Sequence, residues 1–134
     1  MKVYSLKDRI TVDIDGVSFK LAPLSYKQKI EIQNMLTTGQ ESEGTIKAVQ
    51  YSLKGVEGLT DSNDNEYELR FDDNGLTEDC LDEILNIETS MKLVTTCVTF
   101  INGIPKQIIT PDGKPLEGVK IVNPKQGKKK KTSR

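Results

Sequence analysis

The sequence predicts an α+β fold: an N-terminal β-hairpin, a small and mainly helical body of about four helices, one additional short strand or hairpin, and a disordered basic C-terminal tail. Residues 10–21 alternate apolar and polar side chains around a two-residue turn, which is typical of a half-buried hairpin. Later segments repeat their apolar residues at helical intervals. A length of 134 residues suits one domain. We place that domain at residues 1–123 and the tail at residues 124–134.

The hairpin is the clearest local pattern in the chain. Asp15 and Gly16 are residue types that accept the positive φ angles of a two-residue turn. Pro23 cannot donate a hydrogen bond to a sheet, so the second strand should end near it. The apolar residues that alternate along the two strands are Ile10, Val12, Ile14, Val17, Phe19 and Leu21.

Two helices are predicted directly after the hairpin. Ser25 is a favourable N-cap for a first helix that begins at Tyr26, and Gly39 is a natural end for it. The polar stretch 40–44 separates this helix from a second one that begins near Ile46. The apolar stripes are Ile30, Ile32, Met35 and Leu36 in the first helix, and Ile46, Val49, Leu53 and Val56 in the second.

Two more helices and two short strands are predicted in the second half. Thr77 can cap a third helix, and a fourth runs from about Glu88 to Asn102. Residues 91–101 are rich in β-branched side chains and would also alternate as a strand; their length favours a helix, and both interpretations stay open here. The apolar positions are Leu81, Ile84 and Leu85 (third helix), Met91, Val94, Val98 and Ile101 (fourth helix), Tyr67, Leu69 and Phe71 (short strand), and Val119, Ile121 and Val122 (edge strand).

The composition disfavours catalysis, metal binding and cofactor binding. Histidine and tryptophan are absent, which removes the usual general base and the commonest metal ligand. Cys80 and Cys97 form no CxxC pair, so we expect reduced core thiols in a cytosolic protein. Residues 60–77 partly match a calcium loop, but Glu66 stands where the turn needs glycine, which favours a polar hairpin loop.

Charge is divided unevenly between the body and the tail. Six of the nineteen basic residues lie in residues 124–134, which contain no acid, so residues 1–123 carry thirteen basic residues against twenty acids. The tail has no aromatic residue to stack on bases, so we expect a solvated end and disfavour nucleic-acid binding. No run approaches the roughly 18 apolar residues of a membrane span. The first ten residues lack the apolar core of a signal peptide, and we expect the protein to stay where it is made.

The segment "LAPLSYKQKIEI" and the hairpin before it carry a resemblance to a known family. The order of Phe19, Leu21, Pro23 and Leu24 ahead of a charged helix resembles the tail assembly chaperones of long-tailed bacteriophages, over roughly residues 10–101. The resemblance implies a non-catalytic protein of the host cytoplasm. Such a protein would bind the helical tape measure protein and keep it soluble until the tail tube protein assembles. Self-association into a homo-oligomer stays open.

If the resemblance holds, the first two helices should present a groove to an amphipathic helix of the client. The expected partner-binding residues are Met35, Ile46, Val49 and Leu53, although core packing is the alternative use of each. The family often makes a longer product by ribosomal frameshifting, and the four lysines at 128–131 fit a slippery adenine run. The main rival is a structural subunit of the virion, a tail or head-decoration protein, whose hairpin augments a neighbour's sheet. A nucleic-acid-binding adaptor that uses the basic tail is a third class.

Overall fold

The computed structural model describes residues 3–122, which form an antiparallel four-stranded sheet with helices on one of its faces. The predicted α+β class, the N-terminal hairpin and the four helices are confirmed. The predicted tail at 124–134 lies outside the described residues. The strands of the sheet, in spatial order, are β3 (Leu53–Glu57), β2 (Val17–Leu21), β1 (Ile10–Ile14) and β6 (Val119–Val122).

The hairpin forms the centre of this sheet. Asp15 and Gly16 have φ angles of 50° and 91°, as the predicted two-residue turn requires, and Ile14 pairs with Val17 across it. β1 pairs with β6 on its other side, and β2 pairs with β3. The predicted edge strand is therefore confirmed as β6, and both outer edges of the hairpin are occupied.

The helices follow in the predicted order, with a short two-stranded ribbon between the second and the third. The Gln28 N–H donates to Ser25 Oγ (3.2 Å) and the Ser25 N–H donates to Gln28 Oε1 (3.0 Å), so a reciprocal cap fixes the first helix at its predicted start. The remaining elements are α1 (Tyr26–Thr37), α2 (Glu41–Ser52), β4 (Phe71–Asp72), β5 (Gly75–Leu76), α3 (Glu78–Leu85), α4 (Ser90–Thr99) and a 3₁₀ turn (Phe100–Asn102). Of the predicted strand at 67–71, only its last residue lies in a strand.

The predicted bounds of the second helix are wrong. α2 begins at Glu41, inside the stretch taken as a linker, and ends at Ser52, so Leu53 and Val56 belong to β3. The free edge of β2 explains the difference, because Leu53 pairs with Leu21 and extends the sheet. As part of a helix, the same residues would lie at an end weakened by Gly55.

The predicted fourth helix is confirmed as a helix, and three of its four predicted apolar positions pack in or against the core: Ile101 is buried, and Val94 and Val98 are partly buried. The stripe is wrong at Met91 and omits part of the buried face. Met91 is 73% exposed, whereas Leu93, Thr96 and Cys97 are buried. The Thr96 hydroxyl is satisfied inside the helix, where it donates to the Lys92 carbonyl oxygen (2.9 Å). A pattern that counts only apolar residues misses a face that includes threonine.

One apolar core joins the sheet to the helices. Alternate residues of β1 and β2 point into it, together with side chains from every helix. Both cysteines are free and buried in this core, and burial raises the pKa of the Cys97 thiol to about 12. The largest fully buried side chains are Phe19, Ile10, Ile14, Leu21, Ile32, Leu53, Leu76, Ile84, Leu93 and Ile108.

Candidate functional site

An apolar groove of about 500 Å³ lies where the N-terminal segment, the start of α1 and the end of α4 meet. We call it the N-terminal groove. It lies within the size range of ligand-binding clefts. Its lining residues are Val3, Tyr4, Pro23, Leu24, Lys29, Phe100, Gly103 and Ile104.

The residues between the end of β2 and the start of α1 form one side of this groove. Pro23 lies two residues after the end of β2, and the helix cap at Ser25 follows two residues later and starts α1. Leu24 is held between these two constraints and is only 6% exposed, so it forms part of the floor. The groove therefore contains Pro23 and Leu24, two of the four residues that carry the family resemblance.

The end of α4 supplies the opposite side. Phe100 begins the 3₁₀ turn and is 7% exposed, which makes it the second residue of the floor. Gly103 ends that turn with a φ of 120°, a conformation that side-chain-bearing residues rarely adopt. The chain turns there, and Ile104 becomes a wall of the groove.

The groove has one charged lining residue, Lys29, and among residues 3–122 no carboxylate forms an ion pair with its ammonium group. The other lining side chains are apolar except for the Tyr4 hydroxyl. Val3 is 96% exposed at the outer rim, and α1 also carries exposed Tyr26 and Ile30 one turn apart. This arrangement suits an apolar side chain that has an acidic group nearby.

The structure does not place the four predicted partner-binding residues on one exposed surface. Val49 and Leu53 are fully buried in the core, so their expected place on a client-binding surface is corrected. Ile46 is 37% exposed, and Met35 is half-buried near the contact with α2. At Gly44 the first two helices are closely packed, because a Cβ there would stand 3.0 Å from Leu36 Cδ2. The two helices pack too closely there to admit a partner.

Sequence reasoning missed the residues that do form the groove. Val3 and Tyr4 lie near the start of the chain, whereas Phe100 and Ile104 lie in its last third, so no local periodicity links the two pairs. The usable signal was the Pro23–Leu24 pair, which marked the switch of period without showing what would face it.

A polar cluster lies outside the groove, at α3. The Arg70 guanidinium donates to Glu83 Oε1 (2.8 Å) and Asp79 Oδ2 (3.3 Å), and the Tyr67 hydroxyl donates to Glu83 Oε1 (2.6 Å). The hydrogen bond from Arg70 is the main reason why the pKa of Glu83 is lowered, whereas burial, first of all, raises the pKa of Tyr67. Because these carboxylates are exposed, we interpret the cluster as a surface network that ties residues 67–70 to α3.

The calcium-like loop uses its first carboxylate internally. Asp61 Oδ1 accepts the backbone N–H groups of Asn63 (2.8 Å) and Asn65 (3.0 Å), which is a turn-capping role. Within residues 3–122, no group of three or more Cys, Asp or Glu side chains is arranged to hold a metal ion.

In the described part of the chain, no single helix is long and apolar enough to cross a membrane. α3 and the segment Ser90–Asn102 meet the length and composition test only as a pair bent by 113°. Compared with known proteins, the chain matches no protein family, no curated protein and no solved structure.

Proposed function

We propose that this protein is a non-catalytic chaperone of bacteriophage tail assembly in the host cytoplasm. It binds apolar helical segments of the tape measure protein in the N-terminal groove and keeps that client soluble until the tail tube protein assembles. The observation that supports this proposal is the groove itself, which has an apolar floor, the exposed apolar side chain of Val3 at its rim and Lys29 as its one charged lining residue.

The chemistry of the groove fits an amphipathic helix. Such a helix presents apolar side chains three and four residues apart, and one turn of it can insert over Leu24 and Phe100. An acidic residue on the flank of the same helix would pair with Lys29. One small groove supplies few contacts, so we expect several copies to bind along a long client, each weakly enough for the tube protein to displace it.

Co-expression of this protein with the tape measure protein tests whether the groove binds the client, and the measured quantity is the soluble fraction of the tape measure protein. Val3→Asp should abolish solubilisation of the tape measure protein without a change in thermal stability, since Val3 is almost fully exposed. Met91→Asp is the matched control, because Met91 is also an exposed apolar residue and lies about 13 Å along α4 from Phe100. Equal effects of the two substitutions on client solubility would contradict a role for this groove.

A structural subunit that stays in the virion is the second candidate, and the free sheet edges favour it. The hairpin cannot augment a neighbour as first expected, because β3 and β6 cover its strands. In the described residues the outer edges of β3 and β6 have no partner strand and could pair with a neighbour instead.

Mass spectrometry of an infected-cell lysate beside purified particles separates the two functions. A chaperone is abundant in the lysate and absent from particles, and a frameshifted product adds peptides past residue 131 in another reading frame. Stoichiometric recovery from particles would establish the structural subunit and overturn the chaperone proposal.

A further inference from the structure

A second surface feature lies at the sheet edge formed by β3, away from the N-terminal groove. A shallow trough of about 410 Å³ separates residues 54–56 of β3 from residues 66–69 and Phe71. The chain leaves β3, turns through the loop at 58–65 and returns along this strand without joining the sheet. We call this feature the β3 trough.

The two sides of the β3 trough are hydrogen-bonded only at the loop end. There the Tyr67 N–H donates to the Leu59 carbonyl oxygen (2.8 Å), and Thr60 bridges to Glu66. Among the described residues, no backbone hydrogen bond joins residues 54–57 to residues 68–71. The outer backbone groups of β3 therefore face the trough and can accept one more extended segment.

The charge around the trough selects a basic segment. The acidic lining residues are Glu66 and Glu68, and the one basic lining residue is Lys54, whose ammonium nitrogen lies 5.8 Å from the centre of the Phe71 ring. Around the trough, residues 57–88 contain twelve acidic residues, all exposed, and one basic residue, Arg70, which is already paired with Asp79 and Glu83. Glu66 and Glu68 are two residues apart on an extended wall, so their carboxylates lie on the same side. Both are exposed and can pair with lysines of a neighbouring strand.

We propose that the C-terminal segment of the same chain, residues 123–134, binds in the β3 trough, with the lysines at 128–131 against Glu66 and Glu68. This segment has six basic residues and no acid. Its place in the same molecule gives it a high effective concentration at the trough. Bound there, it covers the edge of β3 and protects the sheet from pairing with another copy.

The register of the sheet supports the reach of this segment. Val122 pairs with Thr11, Thr11 with Lys20, and Lys20 with Gly55, so the described chain ends in the same row as the middle of β3. The distance from Val122 to Gly55 is three strand spacings, or about 14 Å. Residues 123–127 span up to roughly 16–18 Å when extended. Five extended residues are therefore long enough to cover the distance from Val122 to β3.

This inference does not depend on the chaperone proposal, and paramagnetic relaxation in a chain that contains residues 1–134 tests it. A nitroxide attached through Thr132→Cys reports on the segment, because the native thiols of Cys80 and Cys97 are buried. At about 0.05 M salt we expect selective broadening of the amide signals of residues 55–57 and 66–68. The broadening should disappear at about 0.5 M salt, where charges are screened within a few ångströms.

Paired substitutions distinguish binding in the trough from general attraction to an acidic body. Glu66→Gln with Glu68→Gln should abolish the broadening. Glu41→Gln with Glu43→Gln removes the same charge from the exposed start of α2 and should leave it intact. Equal losses in both pairs, no selective broadening, or broadening only between molecules in a mixture of labelled and isotope-enriched chains would each overturn the proposal.

Discussion

Substitution of Gly75 by alanine tests how the β4–β5 ribbon is held against α2. Gly75 has a φ of 107°, and a Cβ at this position would clash with the backbone oxygen of Gln50. The Gln50 side chain is buried there and donates from Nε2 to the Leu76 carbonyl oxygen (2.8 Å). The added methyl group therefore meets backbone, which cannot move aside as a flexible side chain can.

The magnitude follows from comparison with Gly16, a matched control. Gly16 also has a positive φ, of 91°, but a Cβ there would meet nothing within 4 Å. Gly16→Ala should cost only the conformational strain, about 1–2 kcal/mol. Gly75→Ala adds displacement of α2 from the ribbon and disruption of a buried hydrogen bond worth about 1–3 kcal/mol, so we expect a loss of about 3–5 kcal/mol in total.

Urea denaturation followed by circular dichroism measures both losses, with the slope of the transition as a check on two-state behaviour. If Gly75→Ala and Gly16→Ala reduce the free energy of unfolding equally, the ribbon is not packed against α2 as described. A milder effect at Gly75 than at Gly16 would refute the reasoning altogether.

Three further predictions concern the core, a cap and a titration. Leu53→Ala should cost about 2–5 kcal/mol in urea denaturation because its side chain is fully buried, whereas Ile46→Ala should cost less than about 1 kcal/mol; similar losses would contradict the assigned burial. Ser25→Ala should cost about 1 kcal/mol, and Ser25→Gly less, in the same assay. Burial and the hydrogen bond to Glu31 raise the pKa of Tyr51 to about 12 from 10.0, so the unfolded chain loses that proton first and stability should fall between about pH 10 and 12. Tyr51→Phe should reduce this fall, and an unchanged pH dependence would argue against it.

The features that the sequence predicted correctly are those decided within a few residues. The turn at Asp15 and Gly16 needs only positive φ angles, and the caps at Ser25 and Thr77 need only a hydroxyl near the free N–H groups of a helix start. In both helices the side-chain oxygen accepts the expected N–H. Such local chemistry is the same in any tertiary context, so it can be inferred without the fold.

The failures occurred where a distant partner decided the outcome. Residues 53–57 have the spacing of a helix stripe, but the free edge of β2 makes them a strand. The helical spacing of Val49 and Leu53 was therefore not enough to place them on a surface, and both are buried in the core. Periodicity reports that a residue has an apolar environment and does not say whether that environment is the core or a partner.

The switch of period after Leu21 has a structural consequence that connects the fold to the candidate site. The hairpin occupies the centre of the sheet with both edges paired, which makes it a rigid support. Pro23 and the cap at Ser25 make the connection between the sheet and α1 short and rigid. Leu24 and Lys29 are therefore held at fixed positions beside Phe100. Val3, by contrast, precedes the sheet and is almost fully exposed. A substitution at the rim of the groove should therefore have little effect on folding, whereas a substitution in its floor should destabilise the fold. This difference allows client binding and stability to be measured separately.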